Sequence, residues 1–296
     1  MKISQLTKIA TDKSKFKTLT NFLDFAEIYL EYVATKLQAI IISQNENHYQ
    51  FYQYGSDGSY QITRPINSRL MYNITDFITT KKSFTGILKN AKGNKSKDQR
   101  EAINRTVYTL QMAIGSTLDA LPAGRSNTAR KINGDLFERL IRIIIQEVGV
   151  DCKSGVVQIP VMFRGKEQCR MSYQHDLIVE RKGDIKLIGS IKTSSKDRID
   201  KIFIDKFLYN KLTDTNTPHI AVFLNDVQRK NGKQKNKYGI NSTFLPGHFR
   251  GYTIKLNPLD GVYYCDIRPN MLTEKILKDH IRTFDHFLCE DIWKFL

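Results

Sequence analysis

A hairpin predicted near the middle of the chain constrains its fold more than any other feature. Residues 174–180 and 185–192 are two strand-like runs, and the tetrapeptide RKGD (residues 181–184) between them is typical of a tight turn. Antiparallel strands joined in this way bring the start of the first strand beside the end of the second. Asp176 and Lys192 are therefore predicted to lie close together at one end of a sheet.

Helix and strand signals alternate on both sides of this hairpin. Apolar residues recur at helical spacing over residues 134–148, where Asn133 is a suitable N-cap. Residues 156–163 have a strand pattern, residues 198–212 a helical one, and residues 219–224 (HIAVFL) form a short apolar run typical of a buried strand. This order predicts an α/β fold with helices packed against the sheet.

The first 125 residues are predicted to be mainly helical. Residues 19–37 and 101–120 have helical periodicity, whereas the aromatic run 48–60 indicates a hairpin. Residues 122–131 (PAGRSNTARK) are interpreted as a turn-rich basic link to the helix of the core.

Three further segments follow the core. Residues 252–256 and 262–267 are predicted to pair as a hairpin, and residues 272–287 to form a closing helix. The segment 228–241 (QRKNGKQKNKYGIN) is rich in basic residues and glycine. Its composition leaves two alternatives open, a disordered surface loop or an arm over DNA.

The charge balance gives the first indication of a partner. Lysine and arginine number 46 against 30 aspartates and glutamates, so the net charge is +16 and the isoelectric point is about 9.6. Such an excess attracts phosphate backbones. An anionic membrane is a weaker alternative, because no basic amphipathic helix with a broad apolar face is evident. None of the four cysteines belongs to a Cys-x-x-Cys pair, which disfavours a zinc site.

Membrane insertion and secretion are not expected. No apolar run approaches the ~18–20 residues that span a bilayer, and the first residues are polar and lysine-rich without the apolar segment of a secretory signal. We therefore expect a cytoplasmic protein with no membrane partner.

The predicted juxtaposition of Asp176 and Lys192 suggests hydrolysis of phosphodiester bonds. A carboxylate there can hold Mg²⁺, and a lysine beside it can orient or deprotonate an attacking water. The usual form of this nuclease site has an acid two residues before the lysine, where this chain has Ser190. On these residues alone, an ordinary surface ion pair remains an alternative.

Two motifs resemble the EcoRII-like type II restriction endonucleases. The segment Lys192-Thr-Ser-Ser-Lys-Asp-Arg198 is similar to that family's KTT-x-KDR segment, and Arg130, Gly134, Phe137 and Glu138 match its pattern R-x-x-x-G-x-x-F-E. The resemblance covers about residues 125–224 of the 296. It implies a restriction-endonuclease-like core, a mixed β-sheet flanked by helices, in a catalytic domain over residues 126–296. Residues 1–125 would then be a mainly helical region for DNA contact or dimerisation.

The same resemblance implies the catalytic roles. Asp176 is expected to be the principal Mg²⁺ ligand, with Glu138 and Asp205 completing one or two metal sites, and Lys192 to activate or orient the water. Asp205 lies thirteen residues after Lys192, where the family has a glutamate that replaces the acid missing beside the lysine. His175 is interpreted as a packing or hydrogen-bonding neighbour rather than the base.

DNA contacts are also implied. In the resembling family the triplet that matches Lys196, Asp197 and Arg198 enters the major groove. Two donors around one acceptor suit a CC/GG dinucleotide. Such a site, if palindromic and cut on both strands, implies a two-fold homodimer in a prokaryotic cytoplasm. Phosphate contacts are expected from the basic residues before the Glu138 helix, Arg125, Arg130 and Lys131.

Other functions fit the same core. A junction-resolving or repair nuclease of the PD-(D/E)xK superfamily would share the catalytic residues, and a non-catalytic DNA-binding protein would bind DNA without cutting it. For the triplet, an ordinary charged helix N-terminus is the alternative to base recognition.

Overall fold

The structure is a computed structural model that describes residues 1–55, 61–196, 198–232 and 237–296. The helices are α1 (Ile3–Thr11), α2 (Leu19–Lys36), α3 (Ile74–Lys89), α4 (Lys97–Leu118), α5 (Ser126–Glu147), α6 (Ile199–Thr213), α7 (Pro246–Lys255), α8 (Lys275–His280), α9 (Phe284–His286) and α10 (Ile292–Phe295). The strands are β1 (Ala39–Ile42), β2 (Tyr49–Tyr54), β3 (Gln61–Ile62), β4 (Ile66–Asn67), β5 (Cys152–Phe163), β6 (Lys166–Arg181), β7 (Asp184–Ser194), β8 (His219–Asn225), β9 (Val227–Asn231), β10 (Tyr238–Ser242), β11 (Gly261–Tyr264) and β12 (Ile281–Thr283).

A six-stranded mixed sheet forms the centre, in the order β12-β11-β8-β7-β6-β5. Strands β5, β6 and β7 are antiparallel, whereas β7, β8, β11 and β12 pair in parallel. Every residue of β8 is buried, as the apolar sequence of this strand predicts. The mixed sheet with flanking helices confirms the predicted fold class.

The RKGD turn has the geometry that its sequence predicts. Arg181 pairs with Asp184, and the two residues between them, Lys182 and Gly183, have positive φ angles of 55° and 87°. Two central residues of this kind match the right-handed twist of the flanking strands. The turn and a register shift between Val179 and Glu180 together set the pairing of β6 with β7.

The N-terminal region combines helices α1–α4 with a small antiparallel sheet. In this sheet β2 lies between β1 and β3 and also pairs with β4, so the predicted aromatic strand is confirmed. Residues 56–60, within the predicted turn, lie outside the described residues. The largest buried cluster draws on both sides of residue 125, because α4 packs against α5. The division into domains at that residue stays a prediction.

The predicted start of the core helix was wrong. Helix α5 begins at Ser126, so most of the expected link 122–131 is helical. Asn133 lies inside the helix and is buried, with Gln111 Nε2 donating to its side-chain oxygen over 2.9 Å. A helix interior tolerates a buried asparagine when a neighbouring helix supplies a partner, and such a partner is not visible in a local pattern.

The C-terminal third also differs from the sequence prediction. Residues 252–256 fall at the end of helix α7, and β11 pairs in parallel with β8 rather than in a hairpin. The predicted closing helix is interrupted by strand β12, which adds to the edge of the central sheet. Short strands are stabilised by distant partners, so a window of a few residues does not define them.

The basic segment 228–241 contains a second hairpin. Strands β9 and β10 pair antiparallel, while residues 233–236 lie outside the described residues. Val227 and Ile240 pack in one buried cluster with Tyr49 and Phe51 of β2. The hairpin therefore joins the N-terminal sheet to the end of β8. No helix within the described residues is long and apolar enough to cross a membrane.

Candidate active site

Three charged side chains from three elements meet at one end of the central sheet. Lys192 Nζ, on β7, lies 2.5 Å from Asp176 Oδ2 on β6 and 3.2 Å from Glu138 Oε1 on α5. The antiparallel hairpin explains the first contact, and the packing of α5 on β7 explains the second. These are the residues that the sequence motifs singled out.

Asp176 is held on both its backbone and its side chain. The backbone N–H of Ile191 donates to Asp176 Oδ2 over 2.8 Å, and Arg142 Nη1 donates to the Asp176 carbonyl oxygen over 2.8 Å. Its side chain is 14% exposed, against 32% for Lys192. The carboxylate therefore has a fixed position, and its other oxygen, Oδ1, accepts no hydrogen bond from the residues that the structure describes.

Burial and mutual charge shift the pKa values of this group. Burial, and then the neighbouring Asp176, raise the pKa of Glu138, although Lys192 opposes the shift. For Lys192, burial lowers the pKa, but Asp176 and Glu138 outweigh it and leave the pKa above its usual value. Two carboxylates this close favour a cation between them, and the lysine ammonium supplies one.

Asp205 lies on α6, close enough to Asp176 and Lys192 for their charges to interact. Burial raises its pKa, with Lys201 and Lys192 opposing and Asp176 adding to the shift, so the charges interact. Among the described residues Asp205 has no hydrogen-bond or ion-pair partner, and no three His, Cys, Asp or Glu side chains are close enough together to hold a metal ion. The structure thus brings Glu138, Asp176 and Lys192 into contact, but not Asp205.

The oxygen ligands present are nevertheless of the kind that Mg²⁺ takes. Protein-bound Mg²⁺ often uses only one or two carboxylates, with water and substrate phosphate completing its octahedron. Asp176 and Glu138 are two such carboxylates, half-buried and facing each other across Lys192. These residues fit a divalent cation.

His175 packs against aromatic residues and does not contact Lys192. Its ring lies 5.5 Å from that of Tyr209 on α6, and burial lowers its pKa. Nε2 of this histidine is buried with no hydrogen-bond partner among the described residues. This packing supports the interpretation of His175 as a structural neighbour.

A cleft of about 1750 Å³ opens directly over Lys192 and Glu138. Four residues that the sequence assigned to DNA contact line it: Arg130, Lys131, Lys196 and Arg198. Arg125 ends a short 3₁₀ turn before α5, is exposed, and does not line the cleft. Asp197 lies outside the described residues.

Three further cations line the same cleft: Arg64, which the sequence analysis missed, and Arg229 and Lys237, which belong to the basic segment 228–241. Arg64 forms a two-pronged ion pair with Asp119, and it packs so closely on Gly115 that a Cβ there would lie 2.6 Å from its guanidinium. The basic composition of residues 228–241 was the available signal for the other two. For Arg64 a single basic residue before a proline gives no signal.

Charge in the cleft is one-sided. Among the described residues eight lysines and arginines line it, and the carboxylates in the same lining are Asp119, Asp135 and Glu138. Asp119 pairs with Arg64, and Glu138 with Lys192. The lining of the cleft is therefore mainly positive, with Glu138 and its ion-pair partner Lys192 among it, which suits a polyanion.

Comparison with known proteins bears on the fold of this chain. No family model matches the sequence, and no curated protein matches it. The chain has the restriction-endonuclease-like fold. The type IIP restriction endonuclease Kpn2I is similar to it with a TM-score of 0.70 and 19% sequence identity, over 99% of this chain and 97% of that one. A complex of restriction endonuclease PspGI with substrate DNA matches with a TM-score of 0.47 and 12% identity, over 73% of this chain and 92% of that one.

Proposed function

We propose that this protein is a type II restriction endonuclease that hydrolyses double-stranded DNA in a Mg²⁺-dependent reaction. The observation that carries the proposal is the contact of Lys192 with both Asp176 and Glu138 at the floor of a basic cleft. The fold shared with Kpn2I supports it, since that protein is a restriction endonuclease. A surface ion pair would not need a buried carboxylate, a second acid and a cleft at the same place.

In this proposal each residue of the candidate active site has a separate role. Asp176 and Glu138, with Asp205 swung in from α6, would hold the metal, which when bound supplies charge neutralisation at the phosphate. Lys192 has a raised pKa in this arrangement and so carries its proton. It is therefore better suited to orient the attacking water and donate to the phosphate than to act as the base. Cleft cations hold the flanking strand.

The recognition sequence is proposed from the triplet between β7 and α6. Lys196 and Arg198 line the cleft two and four residues beyond the last active-site strand residue, Ser194. Donors of this kind suit guanine, and Asp197 between them suits the amino groups of cytosine, so we propose a palindromic site containing CC/GG. A palindrome implies two protomers per duplex. Light scattering of the Ca²⁺ complex would contradict the homodimer if one 34.2 kDa chain bound each duplex.

The proposal is tested by digesting a mapped supercoiled plasmid with the purified protein and Mg²⁺, followed by sequencing of the ends. Discrete fragments with CC/GG at each end are expected, and EDTA should abolish them. Random nicking would favour another nuclease of this fold, and retarded but intact plasmid would favour a non-catalytic DNA-binding protein.

A further inference from the structure

A second concave surface, the basic pocket, is lined by α5 residues that follow Glu138 along the helix. It encloses about 530 Å³ between this helix and the segment that joins α1 to α2. Its cationic lining residues are Lys13, Lys17, Arg139 and Arg142, and none of the described residues that line it is a carboxylate. An anion is the ligand that such a surface favours.

The walls of the basic pocket are fixed by hydrogen bonds. Arg139 Nη1 donates to the carbonyl oxygens of Lys13 and Phe16, over 2.5 and 3.2 Å, which ties the α1–α2 segment to α5. Lys13 Nζ is 2.7 Å from Asp135 Oδ2, and Asp135 in turn lines the large cleft. The pocket is thus a built feature that continues the wall of the cleft.

Arg142 links the pocket to the reacting group. Its Nη1 donates to the carbonyl oxygen of Asp176, and it follows Glu138 by one helical turn, so the two side chains are neighbours on α5. Its Nε–H and Nη2–H, like those of Arg139, have no hydrogen-bond partner among the described residues. Lys17 is exposed, and its ammonium likewise has none among them. Arg139 and Arg142 therefore offer donors within one helical turn of Glu138, and Lys17 offers another in the same pocket.

We infer that the basic pocket holds a phosphate of the DNA strand that flanks the phosphodiester cut at Asp176 and Lys192; the inference rests on the proposed function. Successive phosphates of one strand advance about 3.4 Å along the duplex axis. A strand with one phosphate at Asp176 therefore carries its next phosphates past Arg142 towards Lys17. The pocket would fix the strand's path beyond the cut, where the large cleft ends.

The test compares two exposed lysines of the same segment. Lys17 lines the pocket and Lys15 does not, so Lys17→Ala and Lys15→Ala change the net charge equally and differ only in position. Duplex affinity is measured in Ca²⁺ at several salt concentrations. Lys17→Ala should reduce the slope of log affinity against log salt by about 0.9, the value for one phosphate contact, and Lys15→Ala should leave it unchanged.

A second measurement locates the phosphate. Duplexes with one neutral methylphosphonate are compared, with the replacement at each of the phosphates beside the cut in turn. At one position the replacement should weaken binding by the wild-type protein and cause no further loss in Lys17→Ala. If no position behaves in this way, or if all three proteins have the same salt slope, the inference is overturned.

Failure of the proposed function gives a different result. If the wild-type protein never cleaved DNA but its salt slope still depended on Lys17, the proposed nuclease function would be contradicted. The DNA phosphate site in the basic pocket would be kept. If calorimetry instead showed that inorganic phosphate binds the wild type and not Lys17→Ala, while both bound DNA with the same salt slope, the ligand would be a free anion and the inference would be wrong.

Discussion

Single residues of the candidate active site are held in place by one another. Asp176 accepts hydrogen bonds from both Lys192 and the Ile191 backbone, and Glu138 completes the group from the opposite element. Each member therefore has a specific chemical environment that a substitution can change without unfolding the sheet.

Asp176→Asn tests the principal carboxylate. An asparagine oxygen can still accept from the Ile191 N–H, so the fold is kept while the charge is lost. Plasmid cleavage should fall by at least ~100-fold, which corresponds to roughly 2.7 kcal/mol of activation free energy. Glu180→Gln is the matched control, because Glu180 lies on the same strand in a surface pair with Lys153. Cleavage by Asp176→Asn within about tenfold of the wild type would contradict the assignment.

Asp205→Asn tests whether Asp205 replaces the acid that is missing two residues before Lys192. Asp205 interacts electrostatically with Asp176 and Lys192, so we expect most activity to be lost, whereas Ser190→Ala should lose little. Asp200→Asn is the control from the same helix, since Asp200 is exposed in its first turn. Rates are measured at saturating Mg²⁺. An essential Ser190 with a dispensable Asp205 would show that the second carboxylate lies elsewhere.

Local sequence was sufficient for some of these residues and not for others. Asp176 and Lys192 could be paired from the sequence because a four-residue turn joins their strands as antiparallel neighbours, and Glu138 because its motif has a fixed spacing. Arg64 could not be found, since its position in the cleft depends on Asp119, which lies 55 residues away. Asp205 was predicted from its spacing after Lys192, and among the described residues its charge interacts with Asp176 and Lys192 without a hydrogen bond or ion pair to either.

Among the elements, long patterned segments were predictable and short or buried polar ones were not. The β6–β7 hairpin, β8 and α6 follow from periodicity and turn chemistry. Strand β11 has four residues and gains its stability from parallel pairing with a distant strand. The first turns of helix α5 were not predicted as helix, because the polar residues there line the cleft and show no apolar periodicity.

Asn133→Ser separates the two interpretations of α5. At an N-cap, serine would replace asparagine with little loss. At a buried position, the loss of its contact leaves the amide of Gln111 with a single partner, the Asn133 backbone, and creates a small cavity. The free energy of unfolding in urea should therefore fall by roughly 1–3 kcal/mol. A change in the free energy of unfolding below ~0.3 kcal/mol would support the interpretation of Asn133 as an N-cap. Asn127→Ser, in the exposed first turn of α5, is the control.

Asp197→Ala tests the segment between β7 and α6. It removes the one group of the triplet that can accept from cytosine amines, so specific binding should weaken by ~1–3 kcal/mol per lost base contact. Binding to random DNA should be kept or strengthened, since a negative charge near phosphates is gone. Gel shifts in Ca²⁺ with cognate and scrambled duplexes measure both, and Arg130→Ala should weaken both alike. Equal losses on the two duplexes for Asp197→Ala would exclude the triplet from base recognition.

At the scale of the whole molecule, part of the positive charge is gathered around the large cleft. The net charge of +16 predicted a polyanion but not its location, which depends on how α5, β7 and the β9–β10 hairpin meet around the cleft. That hairpin is attached to the N-terminal sheet, where Arg229 Nη1 donates to the Ile62 carbonyl over 2.9 Å. Both parts of the chain therefore form the wall opposite α5.

A buried carboxylate joins these two parts. Asp266 follows β11, is 2% exposed, and accepts hydrogen bonds from Tyr49 Oη and Asn67 Nδ2 of the N-terminal sheet, both over 2.9 Å. Burial raises the pKa of Asp266 to about 6 from an ordinary value of 3.8, although its two donors oppose the shift. The folded protein therefore binds this proton more tightly than the unfolded chain does. Stability from this group is present at low pH, declines as the pH rises above 3.8, and is lost above about 6.

Asp266→Asn should remove this pH dependence. The amide stays neutral, its oxygen can accept from Asn67, and its N–H can donate to Tyr49, whose hydroxyl accepts as readily as it donates. The variant should therefore unfold at about the same urea concentration as the wild type near pH 4 and be more stable by roughly 1–3 kcal/mol at pH 8. The difference between the two proteins is the quantity measured, because other groups titrate equally in both. Asp200→Asn, which is exposed, should follow the wild type throughout. A difference that stays constant from pH 4 to pH 8 would mean that Asp266 is ionised in the fold and that the two parts are joined by a charged contact.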